Sequence, residues 1–194
     1  MTPDTSADAG RSRVDAARTL LAEVGPDALT VRRLAEQAGC STMVVYSRMG
    51  GKAGVIDALY QEGFANLGAA IRAGRSTDDP IADLRNCGRR YRKWALENPT
   101  YYAVMFEAGV PDFEPSLESK SMAADTLRAL ADKVQRATDA GQLPAGNPVE
   151  IAACLWSANH GVVSLELKGI GPPDIDWSRR YTQVVDAMLA GLRV

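Results

Sequence analysis

Few side chains in this 194-residue sequence are spaced for covalent chemistry. There is one histidine, His160, and three cysteines, Cys40, Cys87 and Cys154, stand far apart. A catalytic base needs a nucleophile within reach, and nothing at meaningful spacing from His160 offers one. Paired carboxylates at diagnostic spacing and a glycine-rich phosphate loop after a strand are both missing, so neither an enzyme nor a cofactor is expected. The cysteines fit neither a disulfide framework nor a C-x-x-C ligand pair; they read as buried thiols of a reducing compartment, with no metal site. What the residues offer instead is recognition. Aromatic and methionine side chains gather at Tyr91, Trp94, Tyr101, Tyr102, Met105 and Phe106, and Trp156 and His160 share a helix face four residues apart. Such a set suits a core or a small-molecule pocket. His160 itself fits either a hydrogen-bonded structural role or a contact to bound ligand.

Helices must position these groups. Apolar residues recur with a period of 3.6 throughout, and no period-2 strand is visible, so the expected fold is all-α with nine helices. The first is expected over about 12–24 and is stopped at Gly25-Pro26. Thr30 is a good N-cap for a short second helix, and Gly39 sits where a left-handed C-cap residue is wanted. Ser41 caps a third short helix ending at Tyr46 or Arg48, and a fourth is expected over 52–73. Longer segments follow at 80–98, 98–106, 116–140, 147–168 and 174–193, with a loop over 107–115. Asn98-Pro99 and Asn147-Pro148-Val149-Glu150 pair a cap with an N1 proline. The small, polar residues 1–10 lack the basic start and apolar stretch of a signal peptide and read as a disordered tail. The longest uncharged run, Ile151 to Leu165, is too short and polar to span a bilayer. No membrane partner is expected, and the location implied is cytoplasmic.

Three short helices within the first 48 residues, the last two separated by Gly39-Cys40, have helix-turn-helix proportions. The stretch L-T-V-R-R-L-A-E-Q-A-G-C-S-T-M-V-V-Y-S-R-M-G-G-K, Leu29 to Lys52, resembles the DNA-binding domain of the tetracycline-repressor family without a gap. The matching positions are Thr30, Ala38-Gly39-Cys40-Ser41, Tyr46 and Lys52. The resemblance implies that Thr30 caps the second helix and touches phosphate, and that Arg33 reaches phosphate or an adjacent base. It places Ser41, Thr42 and Met43 at base edges and Tyr46, Arg48 and Lys52 on phosphates. Met43-Val44 stand where the family has a small residue and threonine, Met49 where it has an aromatic, and Ala53-Gly54 where it has an acidic pair. Residues 41–45 hold no Arg, Asn or Gln, so bidentate base readout from that turn is missing, and methyl contacts and DNA shape must carry more of the reading.

A net charge of −2 argues against nucleic acid only until it is divided along the chain. Residues 11–55 carry seven basic and four acidic groups, and 56–194 carry fifteen and eighteen, giving +3 and −3. The expected organisation is a tail (1–10), a helix-turn-helix domain (11–55) and an effector-binding and dimerisation domain (56–194). Within the last, L-W-S-A-N-H-G-V-V-S-L-E-L, Leu155 to Leu167, is similar to the Trp-x-x-x-His-Gly pattern of one subclass of the family's C-terminal domains. That likeness implies a bundle whose last two helices pair with a second copy, around a pocket for a small, mostly apolar effector. The pocket candidates are Tyr91, Trp94, Tyr102, Met105, Phe106, Trp156 and His160. A stripe of Trp177, Tyr181, Val184, Val185, Met188 and Leu192 is the candidate dimer interface. The function expected is a homodimeric transcriptional repressor, released from a palindromic double-stranded operator by its effector. The alternative is a helical dimerisation or ligand-binding module with weak or lost DNA binding.

Overall fold

The computed structural model describes residues 5–25, 28–74, 76–107 and 113–192, with side chains from residue 14 onward. Among the described residues there are nine α-helices and no strand. They are α1 (Thr5–Val24), α2 (Val31–Gln37), α3 (Thr42–Met49), α4 (Gly51–Arg72), α5 (Pro80–Glu97), α6 (Pro99–Phe106), α7 (Leu117–Asp139), α8 (Pro148–Leu167) and α9 (Trp177–Leu192). Helix α1 starts seven residues before the position expected from periodicity, so residues 5–10 are helical rather than tail. No apolar period marks those residues, but extending an existing helix costs little, and Ala7 and Ala9 are strong helix formers. Residues 1–4, the Pro26 stop and most of the expected 107–115 loop lie outside the described residues. Helix α9 starts three residues later than expected, because Asp176 caps it by accepting from Arg179 N at 2.9 Å.

The chain divides into two compact units, residues 1–64 with 100–121, and residues 65–99 with 122–194. In the first, α2 packs on α1 and α3 packs on α2. Ala17, Leu20, Leu21, Leu29, Leu34, Ala35, Val45, Val55, Ile56 and Leu59 are all buried. Helices of seven and eight residues are not stable alone, so α2 and α3 depend on this burial and on their caps. A second cluster in the same unit is aromatic. Phe64 lies 4.8 Å from Tyr60 and 5.4 Å from Phe106, whose ring is 5.0 Å from that of Tyr102. Burial works against the Asp57 carboxylate, but hydrogen bonds from Ser119 Oγ (2.6 Å), Ser116 N (3.1 Å) and Gln61 outweigh it and hold its pKa below the ordinary value.

In the second unit α8 and α9 form the most extensive pair, and α5 packs on both. Helix α5 buries Ile81, Leu84, Cys87, Tyr91, Trp94 and Ala95 along one face. Its N-terminal turn is tied down by Asp83, which accepts from Thr77 N (2.9 Å), Thr77 Oγ1 (2.9 Å) and Arg136 (3.0 Å). Arg92 on α5 meets Glu166 on α8 through two hydrogen bonds, 2.8 and 2.6 Å, and Arg85 meets Asp186 on α9 at 2.6 Å.

Candidate nucleic-acid interface and cavity

The turn between α2 and α3 is built by backbone chemistry. Gly39 takes φ +60°, a conformation costly for other residues, and this lets Cys40 N donate to Ala35 O at 2.9 Å. Thr30 and Ser41 then start the two helices, each side-chain oxygen accepting a backbone N–H at 3.3 Å, from Arg33 and Val44 respectively. Each hydroxyl keeps its own hydrogen to donate outward. Gly50 ends α3 with φ +68°, and α4 begins one residue on.

Helix α3 buries Val45 completely and presents its other side outward. Met43 is 76% exposed and Tyr46 64% exposed, with Thr42, Ser47 and Arg48 also exposed. Tyr46 is therefore not a core tyrosine. Its ring lies across Gly51, where an added Cβ would sit 3.3 Å from Tyr46 Cδ1. Ser47 shares the outward face with Met43, four residues apart, and no sequence signal singled it out. Arg33 is exposed on α2 and donates to Ala28 O at 3.2 Å, while its neighbour Arg32 pairs with Glu36 at 3.1 Å in full solvent. Lys52 is half-buried on the first turn of α4. Gly54 explains one departure from the family pattern. A Cβ there would collide with the backbone carbonyl of Met49, so an acidic side chain has no room.

The residues proposed for the pocket and the dimer face divide into several environments. Tyr102, Met105 and Phe106 belong to the aromatic cluster of the first unit, with Met105 Sδ packed where Gly63 has no side chain. In the second unit, Tyr91 and Trp156 line a cavity of about 40 Å³ with Ile71, Leu84, Cys87 and Asn159. His160 Nδ1 is 3.1 Å from Tyr91 Oη, and its ring is 5.5 Å from Trp156. Trp94 is buried outside that lining, and its carbonyl accepts from Asn98 at 2.8 Å. Helix α9 turns Tyr181 and Val185 inward. Tyr181 Oη donates to Gly88 O (2.5 Å) and also meets Asn159 Oδ1, while burial pushes its pKa up. Trp177, Val184, Met188 and Leu192 stay partly exposed, and the last three form an open apolar concavity with Ala187 and Gly191. Asn159 was missed as a cavity residue, although an amide within an uncharged helical run is itself a signal. Burial raises the Cys87 thiol above its ordinary pKa, so it stays protonated. Among the described residues no cluster of His, Cys, Asp or Glu could hold a metal ion, and no helix is long and apolar enough to cross a membrane.

A short exposed helix held by caps and a glycine turn against a supporting helix has the geometry of a helix-turn-helix, the motif of one class of DNA-binding proteins. Residues 14–59 match the family of bacterial regulatory proteins named for tetR, and residues 84–191 match the tetracyclin repressor-like C-terminal domain. The chain belongs to the tetracycline-repressor family and is a DNA-binding transcriptional regulator. The uncharacterized HTH-type transcriptional regulator Rv0681 of Mycobacterium tuberculosis is 27% identical over 191 residues, 93% of this chain and 80% of its own. The same fold is seen in a protein of unknown function from Rhodococcus sp. RHA1, with a TM-score of 0.83, 22% identity and full coverage of both chains. The TetR family regulator PfmR from Thermus thermophilus shares it with a TM-score of 0.72 and 20% identity over 93% of this chain and 98% of its own. So does SmeT, solved as a triclosan complex, with a TM-score of 0.69 and 21% identity over 95% and 91%.

Proposed function

We propose that this regulator is a cytoplasmic, homodimeric repressor of a palindromic operator, released by a small, mostly apolar effector. The observation that carries the DNA side is the outward face of α3, where Met43 and Tyr46 stay exposed. Thr30, Arg33, Tyr46, Arg48 and Lys52 hold phosphates in this reading, and Ser41, Thr42 and Met43 reach base edges. The Trp156–His160 contact, followed by Gly161, supports the Trp-x-x-x-His-Gly subclass for the C-terminal domain.

The dimer face follows from what α8 and α9 leave outside. Cys154, Ser157, Gly161 and Leu165 are exposed along α8, and Val184, Met188 and Leu192 are half-buried on α9. Small residues on one helix and apolar ones on the other suit close helix packing with a second copy. The effector enters the cavity beside Tyr91, Trp156 and Asn159. At about 40 Å³ that cavity has room for about one water molecule, at about 30 Å³ each, and for no drug-sized ligand. Binding must therefore select an expanded bundle, which is the differential affinity that release of DNA requires. The triclosan carried by SmeT supports an aromatic, weakly polar ligand class.

A thermal-shift screen of uncharged aromatic compounds, followed by DNA titration with each hit, tests this reading. Compounds that raise the melting temperature are expected to weaken DNA binding at least tenfold. Hits that stabilise the protein and leave DNA affinity unchanged would refute effector-driven release.

A further inference from the structure

We infer that Met43 is the specificity-determining residue of α3 and reads the C5-methyl group of a thymine in each operator half-site. The inference rests on the DNA-contact reading above and adds what that contact recognises. Met43 is the most exposed large hydrophobic side chain of α3, 76% accessible, while Val45 is the helix's buried residue. A large apolar group held in water is stabilised when a partner surface covers it. The first turn offers few other readers. Ser41 Oγ accepts in the helix cap and keeps one hydrogen to donate, Val44 is half-buried, and the Thr42 hydroxyl is the other polar group. Residues 41–45 hold no guanidinium, amide or carboxylate to form a bidentate pair with guanine, adenine or cytosine. Among base edges in the major groove, the thymine methyl is the apolar feature that distinguishes one pair from the rest. A thioether on a flexible, unbranched stem adapts to such a contact.

Selection of bound duplexes from a random library with the full-length protein supplies the operator, and each thymine in it is then replaced singly by deoxyuridine. That exchange removes the methyl group and keeps every hydrogen-bonding group. One thymine per half-site is expected to lose about fourfold in affinity on replacement, the value of one buried methyl group. Met43→Ala is expected to abolish the sensitivity at that thymine alone, and Met43→Leu to retain it. Met43 is 76% exposed, so both variants are expected to fold. A selected operator insensitive to every deoxyuridine, or a Met43→Ala protein that keeps the full sensitivity, overturns the inference and leaves the DNA-contact reading intact. Failure to select any sequence overturns both.

Discussion

At the scale of single residues, the DNA-facing side chains divide by what they can carry. Tyr46 and Lys52 are read as phosphate contacts, and phosphate carries no base information. Lys52→Ala is therefore expected to weaken binding to every duplex and to reduce the salt slope by about 0.9 per protomer, seen in anisotropy titrations at stepped NaCl. Tyr46→Phe removes a neutral hydroxyl, so it is expected to weaken binding by about 1 kcal/mol per half-site with the salt slope unchanged. Met43 and Thr42, by contrast, are read as base contacts, so substitutions there are expected to change which sequence is preferred. Most of this side of the molecule was legible in the sequence, because caps, a turn glycine and their spacing are local features. The Gly54 contact was not. In sequence Ala53-Gly54 is only a departure from pattern, and the reason for it is a carbonyl on another helix.

Elements are held by contacts of that second, non-local kind. Gly54→Ala sets a gain in helix propensity of about 1 kcal/mol against a collision with the Met49 carbonyl of about 1–3 kcal/mol. The collision is with backbone, which yields poorly, so a net loss of melting temperature is expected, together with weaker DNA binding. The start of α5 makes a pH-dependent prediction. Hydrogen bonds from the Thr77 backbone, then from Arg136 and the Thr77 side chain, outweigh burial and lower the Asp83 pKa. A carboxylate with a depressed folded pKa contributes fully above its unfolded value of about 3.9, and that contribution is lost as pH falls through the folded value. Asp83→Asn is expected to cost about 2 kcal/mol at neutral pH and to flatten the fall of melting temperature below pH 4. Asp57, shifted in the same direction, keeps part of that slope. Helix number and order were readable from periodicity. Two features were not readable in the same way: the inward turn of Tyr181 and Val185, and the assignment of Tyr102, Met105 and Phe106 to one unit and of Tyr91 and Trp156 to the other. An apolar stripe or an aromatic cluster in sequence does not say which neighbour covers it.

For the whole molecule, the charge division and the uncovered faces of α8 and α9 meet in one expectation. Two copies must pair to present two α3 helices to successive major grooves. Met188→Glu places a charge on that face without entering the core. It is expected to give a folded monomer by light scattering, with a loss of operator affinity of two orders of magnitude or more. The most direct measurement is a binding titration of the full-length protein on its selected palindrome, repeated over a range of salt and with five base pairs inserted between the half-sites. With the proposed phosphate contacts of Arg33, Arg48 and Lys52 on each protomer, the expected slope of log K against log salt is about −5 for a dimer. The insertion rotates one half-site by half a turn and should abolish tight binding. Equal affinity for both duplexes, with no dependence on salt, would contradict dimeric reading of a palindrome.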